Sequence, residues 1–163
     1  MSDYERLSLG LYGAQSVILV AVLIVYARQL ATMREQMAAA RHSATGQNLL
    51  ALANFLQAED VREARRVVIQ ALKGRGFIEW TLEEKQAAAK VCSSYGTAGV
   101  VIETGLVPAE PIIENWGPSI RNCYEVLQEF IRDMQRRDKN GPAYWAVFDR
   151  LYARAVAGPK EIV

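Results

Sequence analysis

The stretch Leu7–Ala27, LSLGLYGAQSVILVAVLIVYA, decides how this chain is read. It runs 21 residues without a formal charge. At a helical rise of about 1.5 Å per residue, that length matches a hydrocarbon layer roughly 30 Å thick. Ser8, Gln15 and Ser16 sit in its first half, whereas Val17–Val25 is almost purely aliphatic. A cleaved secretory signal is the main competing reading, and Val25-Tyr26-Ala27 has the form of a cleavage site. Against it, residues 1–6 carry two acids and one arginine instead of a basic cluster, and the apolar run is longer than an ordinary signal core. A buried helix of a water-soluble core is the other alternative. The length and charge rules favour a retained transmembrane helix.

The flanks predict its orientation. Arg28, Arg34 and Arg41 follow the segment, opposed only by Glu35, while Arg6 alone precedes it. Basic residues are retained on the cytoplasmic side, so residues 1–6 are expected outside and the bulk of the chain in the cytoplasm, as a single-pass protein of the inner membrane. Tyr12 and Tyr26 fall near the two interfaces, and Gly10 with Ala14 forms a small-x-x-x-small pair suited to helix packing.

The helix is expected to continue through residues 28–45, which lack Pro and Gly and are rich in Ala, Met, Gln, Arg and Glu. Within this juxtamembrane helix Tyr26, Leu30, Met33, Met37, Ala40 and Ala44 recur at alternating spacings of four and three. Such a heptad-like seam needs a partner surface: a second copy, another membrane subunit, or the chain's own later helices. Gly46 marks an expected break.

Residues 46–157 read as one all-helical domain of four to six packed helices, with 158–163 as a tail. A helix from Ala58 or Glu59 places Val61, Ala64, Val68, Ala71 and Leu72 on one arc. Arg65 falls inside that arc and calls for an ion pair or a snorkelling side chain, with an anion contact as the sharper alternative. Lys73-Gly-Arg-Gly76 reads as a turn. Thr81-Leu-Glu-Glu84 matches a capping box and opens a helix carrying Ala88, Val91, Cys92, Tyr95, Ala98 and Ile102 on one face. Pro108, Pro111 and Pro118 predict a connection with at most a short helix around Ala109–Trp116, then a clean amphipathic helix from Ser119 and a last helix starting at Pro142.

The chemistry is sparse. Taking the one arginine and two acids of residues 1–6 from the totals of 19 basic and 18 acidic residues leaves 18 against 16 beyond the apolar segment, no field for nucleic acid. One histidine, His42, and two cysteines, Cys92 and Cys123, without ligand spacing predict no metal site, no cofactor and no disulfide framework. Ser94 and Tyr95 have no histidine base available. Glu83, Glu84, Glu103, Glu110 and Glu114 are the available carboxylates, and the first two sit where a helix N-terminus attracts acids.

The order of landmarks resembles a bacterial domain-of-unknown-function family that joins one N-terminal membrane helix to a small cytoplasmic helical domain. The residues carrying the likeness are Val61-Arg-Glu-Ala-Arg65, Ala88 to Tyr95, Gly105-Leu-Val107, Trp116-Gly117 with Ile120, and Tyr144-Trp145 leading to Phe148 and Leu151. The resemblance implies the architecture and no activity. Three functions are weighed: a non-enzymatic accessory or scaffolding subunit docking on a larger bacterial membrane complex, a membrane-anchored ligand-responsive regulator, and a membrane-surface enzyme. Trp80, Trp116, Tyr144 and Trp145 are candidate interface aromatics under the first, and core residues otherwise.

Overall fold

The computed structural model describes the backbone of residues 3–137, 143 and 145–158, with side chains described from residue 22 onward. The described residues are all-helical: α1 (Asp3–Gln57), α2 (Glu59–Val67), α3 (Leu82–Glu103), α4 (Ala109–Arg137) and α5 (Ala146–Ala157). The chain divides into two compact units, Met1–Ala44 and Thr45–Val163.

In the first unit the described side chains of Val22–Val25, Tyr26, Leu30, Met33 and Met37 are all exposed. Among the described residues, no helix is long and apolar enough to cross a membrane. Of the segment Leu7–Ala27, only Val22–Ala27 contributes described side chains; Gly10 and Ala14 lie outside them. The expected break at Gly46 does not occur, since α1 is assigned continuously to Gln57. One glycine disfavours a helix by about 1 kcal/mol relative to alanine, too little to end one flanked by alanine, leucine and glutamine. The chain turns instead at Ala58, whose ψ of 140° leaves the helical region.

In the second unit α2 begins with Glu59 and Asp60 and ends with Arg65 and Arg66, each charge matched to its end of the helix dipole. Its last turn loosens into a π-helical segment, Val68–Leu72. Pairing i to i+5 rotates successive residues less than an α-helix does, so Val68 and Leu72 stay buried while Ala71, expected on the same arc, is exposed. A 3-10 turn, Phe77–Glu79, then leads to the capping box of α3. There the Thr81 hydroxyl accepts from the Glu84 amide at 3.2 Å, and the Glu84 carboxylate accepts from the Thr81 amide at 2.8 Å. At the far end of α3, Gly105 adopts φ 72°, which allows its own amide to reach the Ile102 carbonyl and that of Leu106 to reach Val101.

The prolines do not break the next element. Pro111 occupies the first turn of α4, where an amide would lack a helical partner, and Pro118 is carried inside the helix. Pro118 and Glu114 are both exposed, so water can take up the hydrogen bond that Pro118 does not supply. The last described helix begins at Ala146, after Trp145, whose left-handed backbone (φ 54°) an α-helix cannot propagate, and the expected start at Pro142 lies outside the described residues.

The core joins α2, α3, α4 and α5 with Leu52 and Leu56 from the end of α1. At its centre Phe148 stacks on Tyr95 at 5.3 Å and meets Tyr124 in a T-shaped contact at 5.3 Å, while Tyr124 stacks on Tyr152 at 4.1 Å. The Tyr124 hydroxyl donates to Asp149 at 2.8 Å. Arg150 grips Glu103 through two bonds of 2.7 and 2.9 Å, tying the end of α3 to α5. Helices α3 and α5 approach closely at Gly99, where an added Cβ would stand 2.5 Å from Val147 Cγ1 and 3.2 Å from the Val147 carbonyl oxygen. A short branched side chain and a backbone atom cannot both yield. Gly99→Ala is therefore expected to lower stability by about 1–3 kcal/mol in urea unfolding, as overpacking does; an unchanged midpoint would contradict this close approach.

Candidate functional site

Of the side chains that sequence reasoning singled out, Arg65, Cys92, Tyr95 and Cys123 lie near one another, and the glutamates are dispersed. Arg65 is partly buried, and its Nη1 is buried without a hydrogen-bond partner. No ion pair among the described residues includes it, so the carboxylate partner expected from the sequence is not supplied. Its charge acts instead on the Tyr95 hydroxyl and the Cys123 thiol. Tyr95 donates to Ser119 Oγ at 2.8 Å. Burial pushes the Tyr95 phenol up to about 12 and the Cys123 thiol up to about 11, and the nearby Arg65 opposes both rises. Cys92 is raised well above the usual thiol range by burial, reinforced by Cys123. Neither thiol is a reactive nucleophile at neutral pH.

The other chemical candidates are occupied structurally. The buried Ser94 hydroxyl donates to the Lys90 carbonyl at 2.6 Å. Glu84 serves the capping box and pairs with Arg75 at 2.6 Å, which holds its carboxyl below the usual range. Glu103 is likewise lowered by Arg150, and Glu83, Glu110 and Glu114 are exposed. Among the described residues, no three His, Cys, Asp or Glu side chains are grouped to hold a metal ion.

Of the four aromatic candidates, Trp80 is a core residue: it is 4 % exposed, tilted against Phe130 at 5.7 Å, with its indole N–H donating to the Arg75 carbonyl at 3.3 Å. Trp145 packs on Phe130 at 5.6 Å. Tyr144 lies outside the described residues. Trp116 lines a surface groove of about 300 Å³ shared with Leu49, Leu50, Ala53, Pro111 and Asn115. A second groove of about 490 Å³ runs between the Lys73–Gly76 turn and α4, bounded by Phe77, Glu125 and Glu129. Its charges are mixed, and Arg75 is already engaged with Glu84. Exposed Leu50 and Ile78 were not singled out from the sequence, since an isolated apolar residue has no period to mark it as surface.

The seam on α1 is different in kind. Leu23, Tyr26, Leu30, Met33 and Met37 are between 55 % and 74 % exposed, a continuous apolar ridge at helical spacing. It offers burial and no acid–base chemistry.

Replacing Arg65 by Met removes an orphaned donor while keeping an unbranched stem that reaches as far as Nε. The melting temperature is expected to stay level or rise; a fall beyond about 5 °C would show that the charge is satisfied and structural.

Neither the curated proteins nor the solved structures compared with this chain return a match. One family model does match, over residues 11–155, which is most of the chain. By that match the chain belongs to the family described as domain of unknown function DUF4760.

Proposed function

We propose that the protein is a non-enzymatic, single-pass membrane-anchored interaction protein, an accessory or scaffolding subunit that docks on a larger bacterial membrane complex. The observation that carries this reading is the apolar ridge on α1, exposed throughout its described length and continuous in sequence with the uncharged run that begins at Leu7. In this reading Leu7–Ala27 is the span, the excess of arginine after it keeps Thr45–Val163 in the cytoplasm, and residues 1–6 lie outside. The non-enzymatic part is supported by the dispersal of the carboxylates and by the structural duties of Ser94, Tyr95 and Glu84. Trp116 and its groove offer a docking surface on the helical domain. A ligand-responsive regulator is the second reading, favoured by the unpartnered Nη1 of Arg65 inside a packed domain.

Two measurements test the proposal. Extraction of native membranes in mild detergent is expected to recover the chain in a stoichiometric complex with other membrane proteins; recovery without such partners would refute the docking role. A membrane-impermeant thiol reagent applied to intact cells is expected to label Ser2→Cys and to leave Lys160→Cys unmodified; the reverse pattern would invert the topology.

A further inference from the structure

The ridge on α1 has a register that chooses among its possible occupants. Assigning Leu23, Leu30, Met37 and Ala44 to heptad position a, and Tyr26, Met33 and Ala40 to d, gives three heptads of unbroken seam. Position e then holds Ala27, Arg34 and Arg41, position g holds Gln29, Gln36 and Ser43, and the outermost position f holds Arg28, Glu35 and His42. The narrowing from Leu and Met to Ala40 and Ala44 lets two helices draw together at the domain-proximal end of the seam.

We infer that the ridge is covered by the same ridge of a second copy of this chain, forming a parallel two-stranded coiled coil over Leu23–Ala44. In a parallel pair each g residue meets the e residue of the following heptad on the other chain. Gln29 then faces Arg34 of the second copy, and Gln36 faces Arg41: polar contacts with no like charge across the seam. An antiparallel pair places e against e and brings arginine to arginine. The charge pattern therefore selects the parallel arrangement, which is also the only one open to two chains anchored in one membrane with the same orientation. Three heptads with two methionines and two alanines in the seam are marginal for association in water. Anchoring both copies in one bilayer raises their effective concentration enough to favour the pair. This inference rests on the membrane-anchored reading.

Copper-phenanthroline oxidation of the full chain in native membranes tests it, using the single variants Leu30→Cys, Met33→Cys, Met37→Cys and Glu35→Cys with the parent as control. The parallel coil is expected to give disulfide-linked dimers at all three seam positions and few at Glu35→Cys. An antiparallel pair would link efficiently at no more than one seam position, and equal linking or none at all four would overturn any specific seam. Adding Gln29→Glu and Gln36→Glu to Met33→Cys is expected to raise the linked fraction, because each acid meets an arginine of the second chain; a lowered fraction would indicate that g faces g. Separating membrane pellet from supernatant in the same samples distinguishes the two claims. Chains in the pellet without seam links refute the dimer and leave the anchor standing, whereas linked chains in the supernatant refute the anchor and leave the dimer.

Discussion

Apolar surface that a chain does not cover for itself must be covered by something else. From Leu23 to Met37, α1 presents large side chains at helical spacing, each left more than half exposed along the seam. Burying one such side chain is worth about 1.5–3 kcal/mol, so leaving even Leu30, Met33 and Met37, the three beyond the uncharged run, in water forfeits an amount comparable to the stability of a small domain. This unmet burial is the constraint on which the functional reading depends.

The unit Thr45–Val163 covers most of its described large apolar side chains itself, although Leu50, Ile78 and Leu82 stay exposed. Its helices close on the Tyr95, Phe148 and Tyr124 rings, and its buried polar groups are mostly consumed locally, as when Ser94 donates to the helix carbonyl of Lys90. Polar surface is used in the same economical way: Glu84 caps α3 and holds Arg75, and Arg150 holds Glu103 across two helices. These carboxylates and hydroxyls hold helices together, whereas Glu83, Glu110 and Glu114 stay exposed on the surface. The exception among the described residues is Arg65, whose buried Nη1 has no hydrogen-bond partner.

Much of this was legible in the residues. The period of α3, the Thr81 capping box and the start of α2 at Glu59 follow from local rules that the tertiary structure does not override. The errors fall where local penalties were too small to decide. Gly46 and Pro118 weaken a helix by amounts that neighbouring turns and packing absorb, so each expected break became a continuous helix. Ala71 left its arc because a π-helical turn changes the angle per residue, a choice that no composition signals. Trp80 is buried in the core and Trp116 only partly so, a difference that only the assembled fold reveals.

The central claim is that the uncharged run before Arg28 lies in lipid and tethers the helical domain to the membrane surface. Alkaline carbonate washing of membranes from cells expressing the full chain tests it most directly, because the wash releases peripheral proteins and leaves spanning helices in place. The chain is expected to remain wholly in the membrane pellet; its release into the supernatant would contradict a spanning helix.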